Sequence, residues 1–153
     1  MDELYRLIGM MMRNAQAIEK NLSVIVYFDK ILNVFANSNE VSDDVFWKNH
    51  DSADELLEWM SDVPFGEIVK LARKTSSMNK KLVSDLEHVL KYRNYVAHKL
   101  FKSKAFLVGN EITKRELTSL KNEARSELEF SAKLNSALLM TSDDLKKEYD
   151  EII

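Results

Sequence analysis

The scarcity of residues that break helices constrains this chain more than any other feature. Its 153 residues include only three glycines and one proline, so few positions suit tight turns or hairpins. Leucine, lysine, glutamate, alanine and methionine, which favour helices, are frequent. A chain of this length can also bury a sizeable core without cross-links. We therefore expect an all-α fold, with residues 1–153 forming a single-domain bundle of five to six helices.

Apolar residues at alternating spacings of four and three predict a long first helix. The set comprises Leu4, Ile8, Met11, Ala15, Ile18, Leu22, Ile25 and Leu32. Such a spacing aligns side chains along one side of a helix, where they can pack against a neighbour. We expect residues 37–40 to end this helix and Ser42 to cap a short second one. Ser52, with Glu55 three residues later, forms a capping box that predicts a further helix start.

The middle of the chain contains the clearest interruption of the helical pattern. Residues 63–66, Val-Pro-Phe-Gly, combine the only proline with a glycine, which indicates a turn. A short helix over residues 65–74 and a connection over residues 75–79 are expected after it. The next apolar pattern predicts a strong helix over residues 80–101.

The last third of the chain is again helical in pattern. Residues 106–108 are apolar, but they are too few to found a sheet, so we interpret them as a packed connection. Thr113 and Glu116 form another capping box, which predicts a helix that runs to about residue 140. Thr141 or Ser142 is then expected to start a last helix.

Several classes of protein are disfavoured by what the chain lacks. It has no cysteine and only three widely spaced histidines, His50, His88 and His98, so we predict neither disulfides nor a metal site, and no cofactor. The start lacks the basic-then-apolar order of a secretory signal, and no apolar run approaches the length of a membrane span. We expect a cytoplasmic protein without membrane contact.

Basic residues are concentrated in one segment of an otherwise acidic chain. Residues 70–104 contain ten lysines and arginines against two acidic residues, a net charge of +8 in a chain whose total is −3. The total of −3 argues against a general binder of polyanions, and the remainder of the chain carries −11. The segment is either a solvated helix face or a local binding site for phosphates.

One arginine in the helix over residues 80–101 lies where an apolar side chain is expected. On a helical wheel, Arg93 falls in the middle of the apolar arc, while Asn94 and His98 share one face at its edge. A guanidinium in an apolar seam costs several kcal/mol unless an anion pairs with it or it reaches a polar cleft. The anion is either a ligand or, in a purely structural alternative, Glu19 or Glu55. His98 in that alternative is an ordinary half-buried histidine, and no comparable setting surrounds the other two histidines.

The residues around Arg93 resemble a known family signature. The string Arg93-Asn94-x-x-Ala97-His98 is similar to the motif of HEPN domains, which is Arg, four to six residues, then His. The surrounding order also resembles small prokaryotic and phage-defence-like members of that family. It includes Ala15-Gln16-x-x-Glu19 and Phe65-Gly66-Glu67-Ile68-Val69. The resemblance extends from about residue 10 to residue 140, and only the hexad is specific.

The resemblance implies a metal-independent endoribonuclease that works as a homodimer, with the two motifs forming one composite site. Arg93, Asn94 and His98 are then the catalytic residues. Histidine changes charge near neutral pH and can exchange protons with an RNA 2′-hydroxyl, while arginine offers a fork to phosphate oxygens. The flanking lysines are expected to bind RNA. They are Lys91, Lys99, Lys102 and Lys104.

The same resemblance implies partner proteins for this chain, and it leaves alternatives to the ribonuclease function open. Related proteins suggest a toxin or phage-defence effector, with an antitoxin or a nucleotidyltransferase as partner. In members paired with a nucleotidyltransferase, the tyrosine that is modified lies two residues after the histidine; here that position is Leu100, which counts against that form of control. The first alternative is a catalytically silent HEPN dimer that binds a nucleotide, RNA or a protein. A purely structural bundle explains the leucines but not Arg93.

Overall fold

The computed structural model of this protein describes residues 1–36, 40–102 and 114–152, with Phe101 described by its backbone alone. Within these residues the chain forms five α-helices and two short 3-10 turns, and no strand. The helices are α1 Asp2–Leu32, α2 Asp43–Met60, α3 Phe65–Ala72, α4 Lys80–His98 and α5 Lys114–Ile152, and the turns are Asn33–Phe35 and Leu100–Lys102. The all-α prediction is confirmed for this part of the chain.

Helix α1 follows the predicted apolar spacing over most of its length. The first seven residues of the predicted set, from Leu4 to Ile25, are all buried. Leu32 is only half-buried, and Ile31 is fully buried in its place. The difference arises because the last turn of α1 packs against Phe46 and Ala53 of α2.

Helices α1 and α5 lie side by side and run in the same direction. Asn14 donates a hydrogen bond to the hydroxyl of Ser131 at 3.1 Å, and Asn21 donates one to the side-chain oxygen of Asn135 at 2.7 Å. Ser131 is fully buried, and an unpaired polar group there would cost about 1–3 kcal/mol. These polar contacts therefore fix the register between the two helices.

Helix α2 is longer than the sequence predicts. The Ser42 hydroxyl accepts a hydrogen bond from the Val45 amide, as expected for a helix cap. The helix then continues through Ser52, so the predictions of a short helix here and of a new start at Ser52 are wrong. Residues Phe46, Ala53 and Met60, spaced by seven, are buried on one side, and a break at Ser52 would interrupt that continuous packing face.

Helices α3 and α4 follow the predicted order. Pro64 is the N-cap of α3, and its residues Phe65 and Ile68 are fully buried. The side chain of Asn79 accepts a hydrogen bond from the Leu82 amide at 2.8 Å and so caps α4. Helix α4 ends at His98, earlier than residue 101, and a 3-10 turn follows.

Helix α5 shows no break at Thr141 or Ser142, so the predicted last helix is not separate. The Thr141 hydroxyl donates to the Ala137 carbonyl at 3.1 Å instead of capping a new helix. Ser142 is buried within the helix. The predicted packed connection over residues 106–108 and the capping residue Thr113 lie outside the described residues, as do positions 37–39 of the first predicted break.

The core consists of a central cluster and two end clusters. At one end, which we call the motif end, the N-terminal half of α1 packs on α4 and α5 through Leu4, Leu7, Ile8, Met11, Tyr92, Val96, Leu100 and Ala124. At the other, the aromatic end, Ile31, Phe46 and Ala53 pack with Tyr27, Phe28, Val34, Phe35, Val41 and Tyr149. None of the helices in the described residues is long and apolar enough to cross a membrane.

Candidate functional site

A surface groove of about 800 Å³ runs along the outer side of α4. Helix α5 forms one wall and Arg73, just after α3, contributes at the other side. The residues that line it are Arg73, Glu87, His88, Leu90, Lys91, Tyr92, Asn94, Tyr95, His98, Lys99, Glu123 and Glu127. The groove therefore brings together Asn94, His98, Lys91 and Lys99, four of the seven residues that the sequence predicts for the site.

Asn94 and His98 are exposed side chains, one helical turn apart, on the same face of α4. Neither has a hydrogen-bond or ion-pair partner among residues 1–36, 40–102 and 114–152. Both are therefore available to a ligand in the groove. Their common face agrees with the spacing argument made from the sequence.

Arg93 has a different environment from the one that the sequence predicts. It is half-buried, and its guanidinium carbon lies 6.0 Å from the ring centroid of Phe65, at the outer limit of a cation–π contact. No carboxylate of the described residues pairs with it, so the structural alternative with Glu19 or Glu55 is not what the structure shows. The predicted apolar arc is also displaced, because Ala97 is exposed.

The three motif residues do not converge within one chain. Arg93 and His98 are separated by about 140° around α4, and Arg93 lies against Phe65 of α3, whereas His98 faces the groove. A single phosphate bound beside His98 and Asn94 would therefore lie on the other side of the helix from the guanidinium. The chemistry that needs Arg93 and His98 together requires a second copy or a rearranged arginine side chain.

The groove is not purely basic. Lys91 and Lys99 line it, while Lys102 is exposed outside the lining and Lys104 lies outside the described residues. The lining carries three cations, Arg73, Lys91 and Lys99, and three carboxylates, Glu87, Glu123 and Glu127. Arg73 and Glu87 form an ion pair with each other. The free positive charge thus comes from the two lysines, which are near the motif.

Two tyrosines form the floor of the groove. Tyr92 is 7% exposed, and Tyr95 is half-buried, with the two ring centroids 6.0 Å apart. Burial raises the pKa of Tyr92, and Glu123 and Glu127 raise it further. Burial and Glu123 raise the pKa of Tyr95. A tyrosine is already neutral at pH 7, and these shifts keep both phenols protonated, so each can donate a hydrogen bond.

His88 and Glu127 are groove residues that sequence reasoning missed. Nε2 of His88 lies 2.8 and 2.9 Å from the two carboxylate oxygens of Glu127, and its ring centroid lies 4.4 Å from that of Phe130. The pair joins α4 to α5, which run antiparallel here. No local spacing could have revealed it, because the two residues are 39 positions apart.

His50 lies at the aromatic end, far along the chain from the groove residues. Its Nε2 is 3.0 Å from the Tyr149 hydroxyl and its Nδ1 is 3.3 Å from a carboxylate oxygen of Asp54. Ligand atoms of His50, Asp51 and Asp54 lie within 4.8 Å of one another. Both nitrogens of His50 already have partners in the protein, and both aspartates are exposed, so this group serves packing between α2 and α5.

Comparisons with known proteins give no relative for this chain: no family model, no curated protein and no solved structure matches it.

Proposed function

We propose that this protein is a metal-independent endoribonuclease of HEPN type, which cleaves RNA through a composite site at a homodimer interface. The observation that carries the proposal is the placement of Asn94 and His98, free of partners in the described residues, in a groove with Lys91 and Lys99. The motif Arg93-Asn94-x-x-Ala97-His98 supports it from the sequence. We place the protein in the cytoplasm.

The reaction that suits these groups is transfer of the phosphodiester to the neighbouring ribose oxygen. The 2′-oxygen forms a bond to phosphorus, and the bond from phosphorus to the 5′-oxygen breaks. His98 accepts the 2′-proton and then returns it to the leaving 5′-oxygen, so the histidine ends the step in its starting form. Asn94 orients the phosphate, and Arg93 stabilises the charge that develops on the non-bridging oxygens.

The dimer is part of the proposal because of the direction of Arg93. Its guanidinium lies on the α3 side of α4, whereas His98 faces outward into the groove. A two-fold axis close to α4 would bring Arg93 of one copy toward His98 of the other. Sedimentation of the purified protein at tens of micromolar should then give a dimer, and a monomer would contradict the composite site.

The proposed biological role is that of a toxin or phage-defence effector held in check by an antitoxin. Leu100 occupies the position that carries the modified tyrosine in members paired with a nucleotidyltransferase. It is 3% exposed and has no hydroxyl. A nucleotidyltransferase partner would therefore need another acceptor residue, which favours an antitoxin of a different kind.

The decisive experiment is incubation of the purified protein with total RNA in the presence of EDTA. The wild-type protein should cleave, and His98→Ala should not. Lys147→Ala is the control, because Lys147 is an exposed residue of α5 outside the groove lining. Cleavage that survives His98→Ala, or wild-type protein that cleaves no RNA, would contradict the proposal.

A second candidate is a catalytically silent dimer that binds a nucleotide, RNA or a partner protein in the groove. The specific observation in its favour is the contact of Arg93 with the Phe65 ring, away from the groove. The lining has equal numbers of basic and acidic side chains, which also suits a partner protein whose surface carries both charges. Binding of RNA without cleavage by the wild-type protein would favour this candidate over the ribonuclease.

A further inference from the structure

Two carboxylates on α5 face the proposed RNA groove and differ in their environment. Glu127 is held by His88 across the groove. Glu123, one turn earlier on α5, is exposed, and no cation among the described residues pairs with it. An exposed carboxylate would repel the phosphates of a bound RNA. It therefore needs a different kind of partner if RNA lies in this groove.

The position of Glu123 along the groove indicates which part of a bound RNA its carboxylate could contact. Helices α4 and α5 run antiparallel here, so Glu127 lies opposite His88, and Glu123 lies opposite Tyr92 and Tyr95. The negative charge of Glu123 is close enough to raise the pKa of both phenols. His98 follows Tyr95 by one helical turn. Glu123 is therefore near the proposed reacting phosphate, next to an aromatic floor.

In grooves that bind single-stranded RNA, aromatic side chains stack on the bases. Polar side chains nearby then form hydrogen bonds with the edges of those bases. A carboxylate offers acceptors only. The base that matches it best is guanine, whose N1–H and N2–H₂ donors point the same way and can meet both carboxylate oxygens. Uracil offers one donor between two carbonyl oxygens, which a carboxylate would repel.

We propose that Glu123 is a specificity residue that binds the Watson–Crick edge of a guanine in single-stranded RNA, with the half-buried Tyr95 ring beneath the base. This inference rests on the proposed function of the groove as an RNA site. Glu123 would determine which RNA base the site prefers, and the catalytic motif alone does not determine that preference. Asn94 and His98 would then act on the phosphate next to that guanine.

The test measures binding separately from cleavage, with His98→Ala protein and short single-stranded RNAs at low salt. The RNAs are a uridine run with one central guanosine, the same run with inosine, which lacks the N2 amino group, and the run of uridines alone. The guanosine RNA should bind roughly tenfold more tightly than the uridine RNA, since a bidentate contact gives discrimination of that order. Inosine should fall between them.

Adding Glu123→Gln should remove the guanosine preference. The control is Glu129→Gln on the same helix, which changes the same charge at an exposed residue paired with Lys133 outside the groove lining. A preference that survives Glu123→Gln would overturn the proposal, as would an equal gain in affinity for all three RNAs, because that would show charge repulsion alone.

The outcome for cleavage separates this inference from the proposed function. If wild-type protein cleaves RNA with the same base preference as Glu123→Gln, the specificity role fails and the ribonuclease stands. If guanosine binding depends on Glu123 but wild-type protein cleaves nothing, the specificity role stands and the ribonuclease fails. If none of the RNAs binds and none is cleaved, both are overturned.

Discussion

His50 at the aromatic end and His98 at the motif end show how differently this fold uses the same side chain. The His50 ring has four aromatic neighbours, Tyr27, Phe46, Trp47 and Tyr149, with centroids 5.4–6.2 Å away. Both of its nitrogens have protein partners. His98 is exposed at the end of α4 and contacts no ring or polar partner among the described residues.

The difference shows which histidine supports packing and which one is available to a ligand. The contacts of His50 connect α2 with α5. Both nitrogens of its ring are therefore occupied by protein partners, and the orientation of the ring is fixed. His98 contributes nothing comparable to packing, so a functional role is a better reason for its position than stability.

The largest effect should come from substitutions in the motif. His98→Ala and Arg93→Ala should each reduce the rate of RNA cleavage by roughly 10²- to 10⁴-fold, because one removes a proton-transfer group and the other a charge-stabilising donor. The double variant should be little worse than either single one, since both residues act in one step. Single-turnover cleavage of a labelled RNA measures all three. Additive losses would indicate separate roles.

A smaller effect, on stability, should distinguish the two histidines. His50→Ala should lower the free energy of unfolding by about 1–3 kcal/mol, because the hydroxyl of the half-buried Tyr149 loses its partner and the surrounding aromatic rings lose a neighbour. His98→Ala should change it by no more than about 0.5 kcal/mol, as is usual for an exposed residue. Urea unfolding followed by circular dichroism gives both values. Equal losses would remove the contrast between the two ends.

The smallest effect should concern the affinity for phosphates. Lys99→Glu and Lys102→Glu should weaken binding of oligonucleotides and reduce its salt dependence, since each phosphate contact releases counterions. Lys147→Glu, an equal charge change at an exposed residue near the aromatic end, should have little effect. Fluorescence anisotropy over a salt series measures this. An equal response of all three variants would show a general charge effect and no local phosphate site.

Local patterns predicted the helices well where the burial of one face follows them directly. The spacing from Leu4 to Ile25 predicted the buried side of α1, and all of those residues are buried. The capping signals at Ser52 and Thr141 gave wrong predictions of helix starts. Each residue lies inside a longer helix, where burial of a continuous apolar face stabilises the helix more than a local cap would stabilise a break. The burial of Phe46, Ala53 and Met60 decides the matter in α2.

The sequence predicts only those features of the site that depend on the geometry of a single helix. The spacing of Asn94 and His98 places them on one face, and the structure agrees. The contact of Arg93 with Phe65 depends on how α3 packs on α4. The presence of Glu123 and Glu127 in the groove depends on the register of α5. Neither arrangement follows from the hexad, because both are set by residues distant in the sequence.

We propose that Arg93 and His98, which lie on different sides of α4, act together when two copies combine. The most direct measurement is the RNA cleavage rate of a mixture of Arg93→Ala and His98→Ala proteins, after unfolding and refolding them together to exchange subunits. A heterodimer contains one pair of intact groups, Arg93 from one copy and His98 from the other, so the mixture should regain a substantial part of the wild-type activity. A mixture that forms heterodimers and stays as inactive as either variant alone would contradict the composite site.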